Sequence, residues 1–333
     1  MDPLDRSDPK RIGDITLRGR LGFGGMGRVF YGVTADHEAV AVKVIREDLI
    51  SRAEVRTRFA RETEALRTIQ GPHLASLVDA SDEDDERPWL AIEFVRGLTL
   101  KEFVETRGPL TETDAAALGV VLAGALKDIH AAGLLHRDLK PANVLLGQDG
   151  PKVIDLGLVA FADGPTDLTT TESTLGTPAC MSPEQANTPK QITSAADVYA
   201  LGATLLFALA KHYPYDGGNV AAMLMNIISA DTHPNLDGLP DSTRPLIEKM
   251  LAHDPAARPT VAEARDRLTK LCGRAPLKRL VEATYIERES DPEEVAPRPR
   301  PPRKDLSEVV VPGSVVAKLA DHLRSIYSVN AAF

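Results

Sequence analysis

The sequence predicts an α+β fold of two unequal lobes, a small antiparallel β-sheet with one helix followed by a larger, mainly α-helical lobe. Three observations carry this expectation. Short β-type runs, ITLRGRL, RVFYGV and AVAVKVI, follow one another between Ile12 and Ile45, separated only by glycines and the turn-like TADHE. Near Gly97 the chain changes to long Ala- and Leu-rich helical stretches. Within these, Ser194 to Lys211 is apolar nearly all round, as a helix at the centre of a lobe must be.

Taken in order, residues 1–11 are polar and charged and read as a flexible N-terminal arm, with order beginning near Ile12. The first lobe then spans 12–96, its helix marked by the switch to helical spacing over residues 51–70. A boundary between lobes is expected near Phe94 to Leu98. Thr111 and Asp114 form a capping-box-like start, and Gly133 a stop, for one long helix. Residues 242–272 complete the second lobe, which spans 97–272. Beyond Gly273 the composition shifts to a linker, 273–313, whose APRPRPPRK is proline-rich, basic and unable to form a packed core. After it Ser314 can cap a helix over 314–333 in which Val315, Val316, Leu319, Leu323, Ile326 and Tyr327 recur at helical spacing. That face wants a partner: the preceding lobes, a homodimer mate or another protein.

Charge and cysteine usage narrow the class. A net charge of -9 and a pI near 5.5 provide no basic field for a nucleic-acid backbone, so nucleic acid is excluded as the main ligand. The two cysteines, Cys180 and Cys272, have no neighbours at metal-ligand spacing, which fits a reducing, cytoplasmic setting. The start is polar and acidic, without the apolar core of a signal peptide, and no apolar run is long enough to span a membrane.

Four segments carry chemistry. Gly22, Gly24 and Gly27 form GFGGMG between two strand-like runs, where missing side chains let backbone N–H groups approach phosphates; a glycine-rich hairpin without a ligand is the alternative. The strand RVFYGV that follows disfavours a dinucleotide fingerprint, which leads into a helix. In AVAVKVI the two-residue period places Ala41 and Lys43 on one face and Val40, Val42 and Val44 on the other. Lys43 is then either a snorkelling edge lysine or one member of an ion pair. The next helix offers Glu62 inside the apolar stripe of Val55, Phe59, Leu66 and Ile69. Ionised and unpaired there it would cost several kcal/mol, so pairing with Lys43 satisfies both, unless Glu62 sits at the solvated rim of the stripe.

HRDLKPANVLL, from His136 to Leu146, is the most specific segment. Asp138 can accept a hydroxyl proton, Lys140 can neutralise charge on a transferring phosphoryl group, and Asn143 offers an oxygen to Mg²⁺. Twelve residues beyond Asn143, after a GQDG turn and a strand, Asp155 begins DLG. A hairpin would return Asp155 beside Asn143 and provide two oxygen ligands of the kind Mg²⁺ prefers.

Together with VAVK, Glu62, GTPACMSPE, DVYALG and ARPT, these segments resemble, in chain order over about residues 12–272, the signatures of the protein-kinase family, and in particular of bacterial Hanks-type Ser/Thr kinases. The resemblance implies the two-lobed protein-kinase fold with ATP clamped between the lobes. It implies nucleotide contacts from Leu21, Gly22, Gly24, Gly25, Met26, Gly27, Val29, Ala41, Lys43 and Leu145, and from a hinge at Glu93 to Val95 behind a gatekeeper Ile92. Leu66, His136 and Leu156 are expected to stack in a hydrophobic spine, Glu184 to pair with Arg258, and Asp197 to brace the catalytic loop. Lys140 and Thr177 match the Ser/Thr pattern. Leu156 departs from the usual Phe of this motif, and Cys180 stands where many relatives have Tyr.

The implied reaction is transfer of the ATP γ-phosphate to Ser or Thr hydroxyls of protein substrates. Asp138, Lys140, Lys43 and Glu62 are the catalytic set, and Asn143 and Asp155 the ligands of Mg²⁺ or alternatively Mn²⁺. A pseudokinase scaffold and a small-molecule phosphotransferase are the competing readings. Activation is expected through phosphorylation of Thr171, then Thr169, in a Ser/Thr-rich segment that Arg137 is placed to meet.

Overall fold

The computed structural model describes residues 1–24, 27–45, 53–82, 85–155, 178–187, 192–273 and 276–288. The three β-type runs form strands β2 (Ile15–Gly24), β3 (Gly27–Val33) and β4 (Ala39–Ile45). With β1 (Arg11–Ile12), β5 (Leu77–Ala80) and β6 (Trp89–Glu93) they make an antiparallel sheet in the order β1-β2-β3-β4-β6-β5. TADHE is the turn between β3 and β4, closed by the Thr34 N–H donating to the Glu38 carbonyl at 3.0 Å. The strand period sorts the two faces as expected. Val40 and Val42 are fully buried with Ile15, Leu17, Phe30, Trp89 and Ala91 on the outer side, leaving Ala41 and Lys43 on the inner one. Helix α1 (Ala53–Thr68) packs Phe59 against Ile45 and Leu90.

Gly97, at φ 127°, turns the chain into the second lobe. A Cβ there would lie 2.3 Å from the Leu146 carbonyl oxygen, so only glycine permits this close crossing. Helix α2 (Leu100–Arg107) opens with a capping box between Thr99 and Glu102. Helix α3 (Glu112–Ala131) starts where the cap was expected, with the Thr111 hydroxyl accepting from the Asp114 N–H at 3.2 Å, and Gly133 follows its end at φ 76°. A two-stranded hairpin, β7 (Val144–Gly147) and β8 (Gly150–Val153), precedes helices α4 (Pro183–Asn187), α5 (Ser194–Ala210), α6 (Val220–Ile228), α7 (Arg244–Met250) and α8 (Val261–Leu271). Every residue of α5 from Ala196 to Leu209 is buried, and each enclosed leucine contributes roughly 2 kcal/mol to the lobe.

The ordered chain extends beyond the expected lobe on both sides. Residues 1–11 are not a free arm: Asp2 and Arg20 exchange backbone hydrogen bonds of 2.9 and 2.8 Å, Arg11 and Ile12 pair with β2, and Asp8 is buried. Pairings of charges distant in sequence leave no periodic signal, which is why a polar stretch reads as loose. Past Cys272, helix α9 (Pro276–Thr284) encloses Leu280 completely and sets Arg279 3.2 Å from Asp114 of α3, so the linker's first part belongs to the lobe. The expected helix over 314–333 lies outside the described residues.

Candidate active site

The glycine-rich segment is the hairpin of β2 and β3, with Gly22 opposite Val29 and Gly24 opposite Gly27; Gly25 and Met26 lie outside the described residues. Leu21 falls at a shift of register between Arg20 and Gly22. A Cβ on Gly27 would meet the Val44 carbonyl oxygen at 1.9 Å, whereas one on Gly22 would meet nothing within 4 Å, so β3 is pressed against β4 at the hairpin's last pair while Gly22 faces open space. Cross-strand register sets Val29 opposite Lys43, and Ala41 between Tyr31 and Ile92, which gathers Val29, Ala41, Lys43 and Ile92 on the inner face. Glu93 ends β6 and pairs with Lys152 of β8, Val95 lies against Gly147, and Leu145 of β7 bridges to Thr99.

HRDLKPAN forms the loop between α3 and β7. Its shape is held from below by Asp197, in the first turn of α5. One Asp197 oxygen accepts from the His130 ring nitrogen at 2.7 Å and the His136 N–H at 2.9 Å, the other from the Arg137 N–H at 2.8 Å. Burial opposes ionisation of Asp197, yet these donors outweigh it and hold the carboxyl below its usual range. Burial pushes the His136 ring below the ordinary histidine range, so it is a neutral, fully enclosed strut, and its Nδ1 accepts the Asp138 N–H at 3.2 Å. Arg137 stands at φ 65°, a left-handed conformation for a non-glycine residue, and its carbonyl accepts from Gln185 of α4 at 2.8 Å.

Above this brace the polar groups converge. Lys140 Nζ lies 2.7 Å and Asn143 Nδ2 3.0 Å from the same Asp138 oxygen, and Asn143 Nδ2 also donates to the Asp138 carbonyl at 2.9 Å. With its nitrogen committed, Asn143 turns its side-chain oxygen elsewhere as an acceptor. The hairpin return anticipated from spacing is present: Val144 pairs with Val153, and the Ile154 N–H donates to the Asn143 carbonyl at 2.9 Å. Asp155, at φ 53°, then reaches across to Lys43, 3.4 Å from its Nζ. Glu62 lies on α1 with its side chain outside the described residues, as do Leu156, Thr169, Thr171 and Thr177. Glu184 and Arg258 form the expected pair, through bonds of 2.6 and 2.9 Å. Cys180 is buried, and burial pushes its thiol up to about 12, so it packs as a small apolar group.

The arrangement suits a nucleotide triphosphate with a divalent cation. Lys43 and Lys140 supply positive charge, and the inner face of the sheet with Leu145 is apolar. Among the described residues no cluster of three or more His, Cys, Asp or Glu could hold a metal ion alone. A cation on Asn143 and Asp155 would therefore complete its shell with phosphate and water oxygens, as hard divalent ions do. Residues 15–268 match the family model described as protein kinase domain. The chain belongs to the protein kinase family. It is 42% identical over 268 residues to the serine/threonine-protein kinase AfsK of Streptomyces coelicolor, covering 80% of this chain and 33% of AfsK. It is 32% identical over 322 residues to PknB of Mycobacterium tuberculosis, a serine/threonine-protein kinase, covering 92% of this chain and 50% of PknB. The kinase domain of PknI from the same organism superposes with a TM-score of 0.62 at 26% identity, covering 78% of this chain and 97% of that one. The chain thus spans about a third to a half of these two curated relatives. Family membership implies use of ATP and a divalent metal. No helix among the described residues is long and apolar enough to cross a membrane.

Two contributors to the HRDLKPAN loop's support escaped the sequence reading. His130 stands 67 residues from Asp197, and Gln185 is 48 from Arg137, so neither contact has a local signal.

Proposed function

We propose that this chain is an active Ser/Thr protein kinase of the cytoplasm, using Mg·ATP. The observation that carries the reading is the convergence of Asp138, Lys140 and Asn143 on one carboxylate oxygen, with Asp155 returned beside them and tied to Lys43. Mg·ATP supplies an activated phosphoryl group with its charge partly neutralised. Asp138 orients the substrate hydroxyl and takes its proton as the oxygen attacks phosphorus and the bond to the β,γ-bridging oxygen breaks. Lys140 offsets charge on the group in transit, Lys43 anchors the nucleotide's α- and β-phosphates with Glu62 as its counter-ion, and Asn143 and Asp155 would hold the Mg²⁺ that offsets phosphate charge. The inner-face residues Val29, Ala41 and Leu145 cover the base, and the hinge from Glu93 to Val95 gives its backbone to the base edge. Most of this is positioning and electrostatics in a preformed frame.

Thr177 and Lys140 support Ser or Thr as acceptor, and the retained polar set opposes a scaffold-only role. In Lys43→Met and Asp155→Asn the expected loss of phosphate transfer is at least ~100-fold, about 3 kcal/mol of barrier, with the fold retained because neither side chain packs in the core. Turnover like wild type in either folded variant rejects the assignment.

A further inference from the structure

Asp8 lies in the polar run RSDPK, yet its side chain is 0% exposed. Its Oδ2 accepts from Arg20 Nε at 2.5 Å and from the Asp5 N–H at 2.8 Å, while Oδ1 accepts from Arg28 Nη1 at 2.8 Å. Asp5 grips the other end of the Arg20 guanidinium at 2.5 Å, and Asp2 holds the Arg20 backbone from both sides. The hydrogen bond from Arg20 outweighs burial and keeps the Asp8 carboxyl below its usual range, so it remains charged at neutral pH.

The positions of the two arginines give this cluster its meaning. Arg20 lies on β2 and Arg28 on β3, one on each leg of the glycine-rich hairpin, below the Gly24–Gly27 pair. The register shift at Leu21, where the ladder is interrupted, falls between them. Toward its tip the hairpin is built from glycines, which lose more freedom than other residues when a ligand orders them. A ligand that rigidifies the loop pays that entropy, and a loop already held pays less.

We propose that Asp8 is a positioning residue of the nucleotide-binding hairpin, clamping its two legs from the outer side of the sheet and so presetting the glycine loop for phosphate. The inference rests on the kinase reading for the identity of the ligand but not for the clamp itself. Asp8 touches no reacting atom; it acts through Arg20 and Arg28. Its loss therefore weakens nucleotide binding more than it slows transfer at saturating ATP.

The test compares the full chain with Asp8→Asn and Arg28→Gln, the latter keeping the Asp8–Arg20 bond. Amide hydrogen exchange without nucleotide, MgADP affinity by calorimetry, and KM for ATP alongside kcat are measured. In Asp8→Asn, exchange over residues 20–30 accelerates while 194–210 is unchanged, and Kd for MgADP and KM for ATP rise about fivefold with kcat within about twofold. Arg28→Gln shifts the same quantities less, and stands as the test should Asp8→Asn not fold. Unchanged exchange and affinity overturn the proposal, as does faster exchange throughout the chain with ADP affinity intact, which marks a purely structural role. Localised exchange and weakened ADP binding in a wild-type background without protein phosphorylation support the clamp while refuting the Ser/Thr kinase reading.

Discussion

Replacing Asp197 by Asn tests how the catalytic loop is held. Both carboxylate oxygens are in use, one for His130 and His136 at 2.7 and 2.9 Å and the other for Arg137 at 2.8 Å. An amide nitrogen in either place faces an N–H with another donor. Turned toward Arg137 it sacrifices one bond, and a buried donor left unsatisfied costs about 1–3 kcal/mol. For a domain of this size that is a fall in melting temperature of about 4–8 °C at ~2 kcal/mol. Activity should suffer more than stability. Arg137 is held at φ 65°, a conformation that costs a non-glycine residue about 1–3 kcal/mol and persists only while its surroundings enforce it. Once its N–H is released the backbone relaxes and Asp138, the next residue, moves with it. A displacement near ~1 Å is worth on the order of 100-fold in rate. Steady-state kinetics on a protein substrate, beside a thermal melt and far-ultraviolet dichroism, gives the expected pattern: a folded variant, a modest melting shift and kcat down about 100-fold. A folded Asp197→Asn protein with kcat near that of wild type refutes the argument that this carboxylate sets the loop.

Two further outcomes follow from other contacts. Arg258, whose side chain is 0% exposed, gives Glu184 a two-pronged ion pair and also donates to the carbonyls of Ala195, Ala252 and His253. Arg258→Ala strands that buried charge at about 3–5 kcal/mol and should lower the melting temperature by roughly 10 °C, with Arg258→Lys recovering only part; a shift below about 2 °C contradicts this. Thr169→Ala/Thr171→Ala should hold activity at its unphosphorylated level after incubation with Mg·ATP, since Arg137 then lacks a phosphate to bind; full activation of the double variant rejects the switch.

What was legible in the sequence is what is local or periodic. The alternation in AVAVKVI placed Lys43 opposite the outer core, and Thr111, Asp114 and Gly133 marked the ends of α3, because caps and strand faces depend on neighbours a few residues away. Spacing from Asn143 to Asp155 foretold the β7–β8 return. The His130–Asp197 contact, the Asp8 clamp and the docking of α9 were not legible. Each joins groups that only the folded topology brings together, and a buried Asp8 looks in sequence like any exposed aspartate. Residues 1–11 illustrate the point: a polar stretch is loose only when its charges find no partner.

The central claim is that Asp138 serves transfer of the ATP γ-phosphate to Ser or Thr, and the most direct measurement follows γ-labelled phosphate from Mg·ATP onto the chain itself and onto a general protein substrate, with phosphoamino-acid analysis of both. Wild type should yield phosphoserine or phosphothreonine and no phosphotyrosine, and Asp138→Asn, folded and still binding nucleotide, should yield at least ~100-fold less. Equal labelling by the two proteins, or label confined to tyrosine or absent from wild type, would contradict the account.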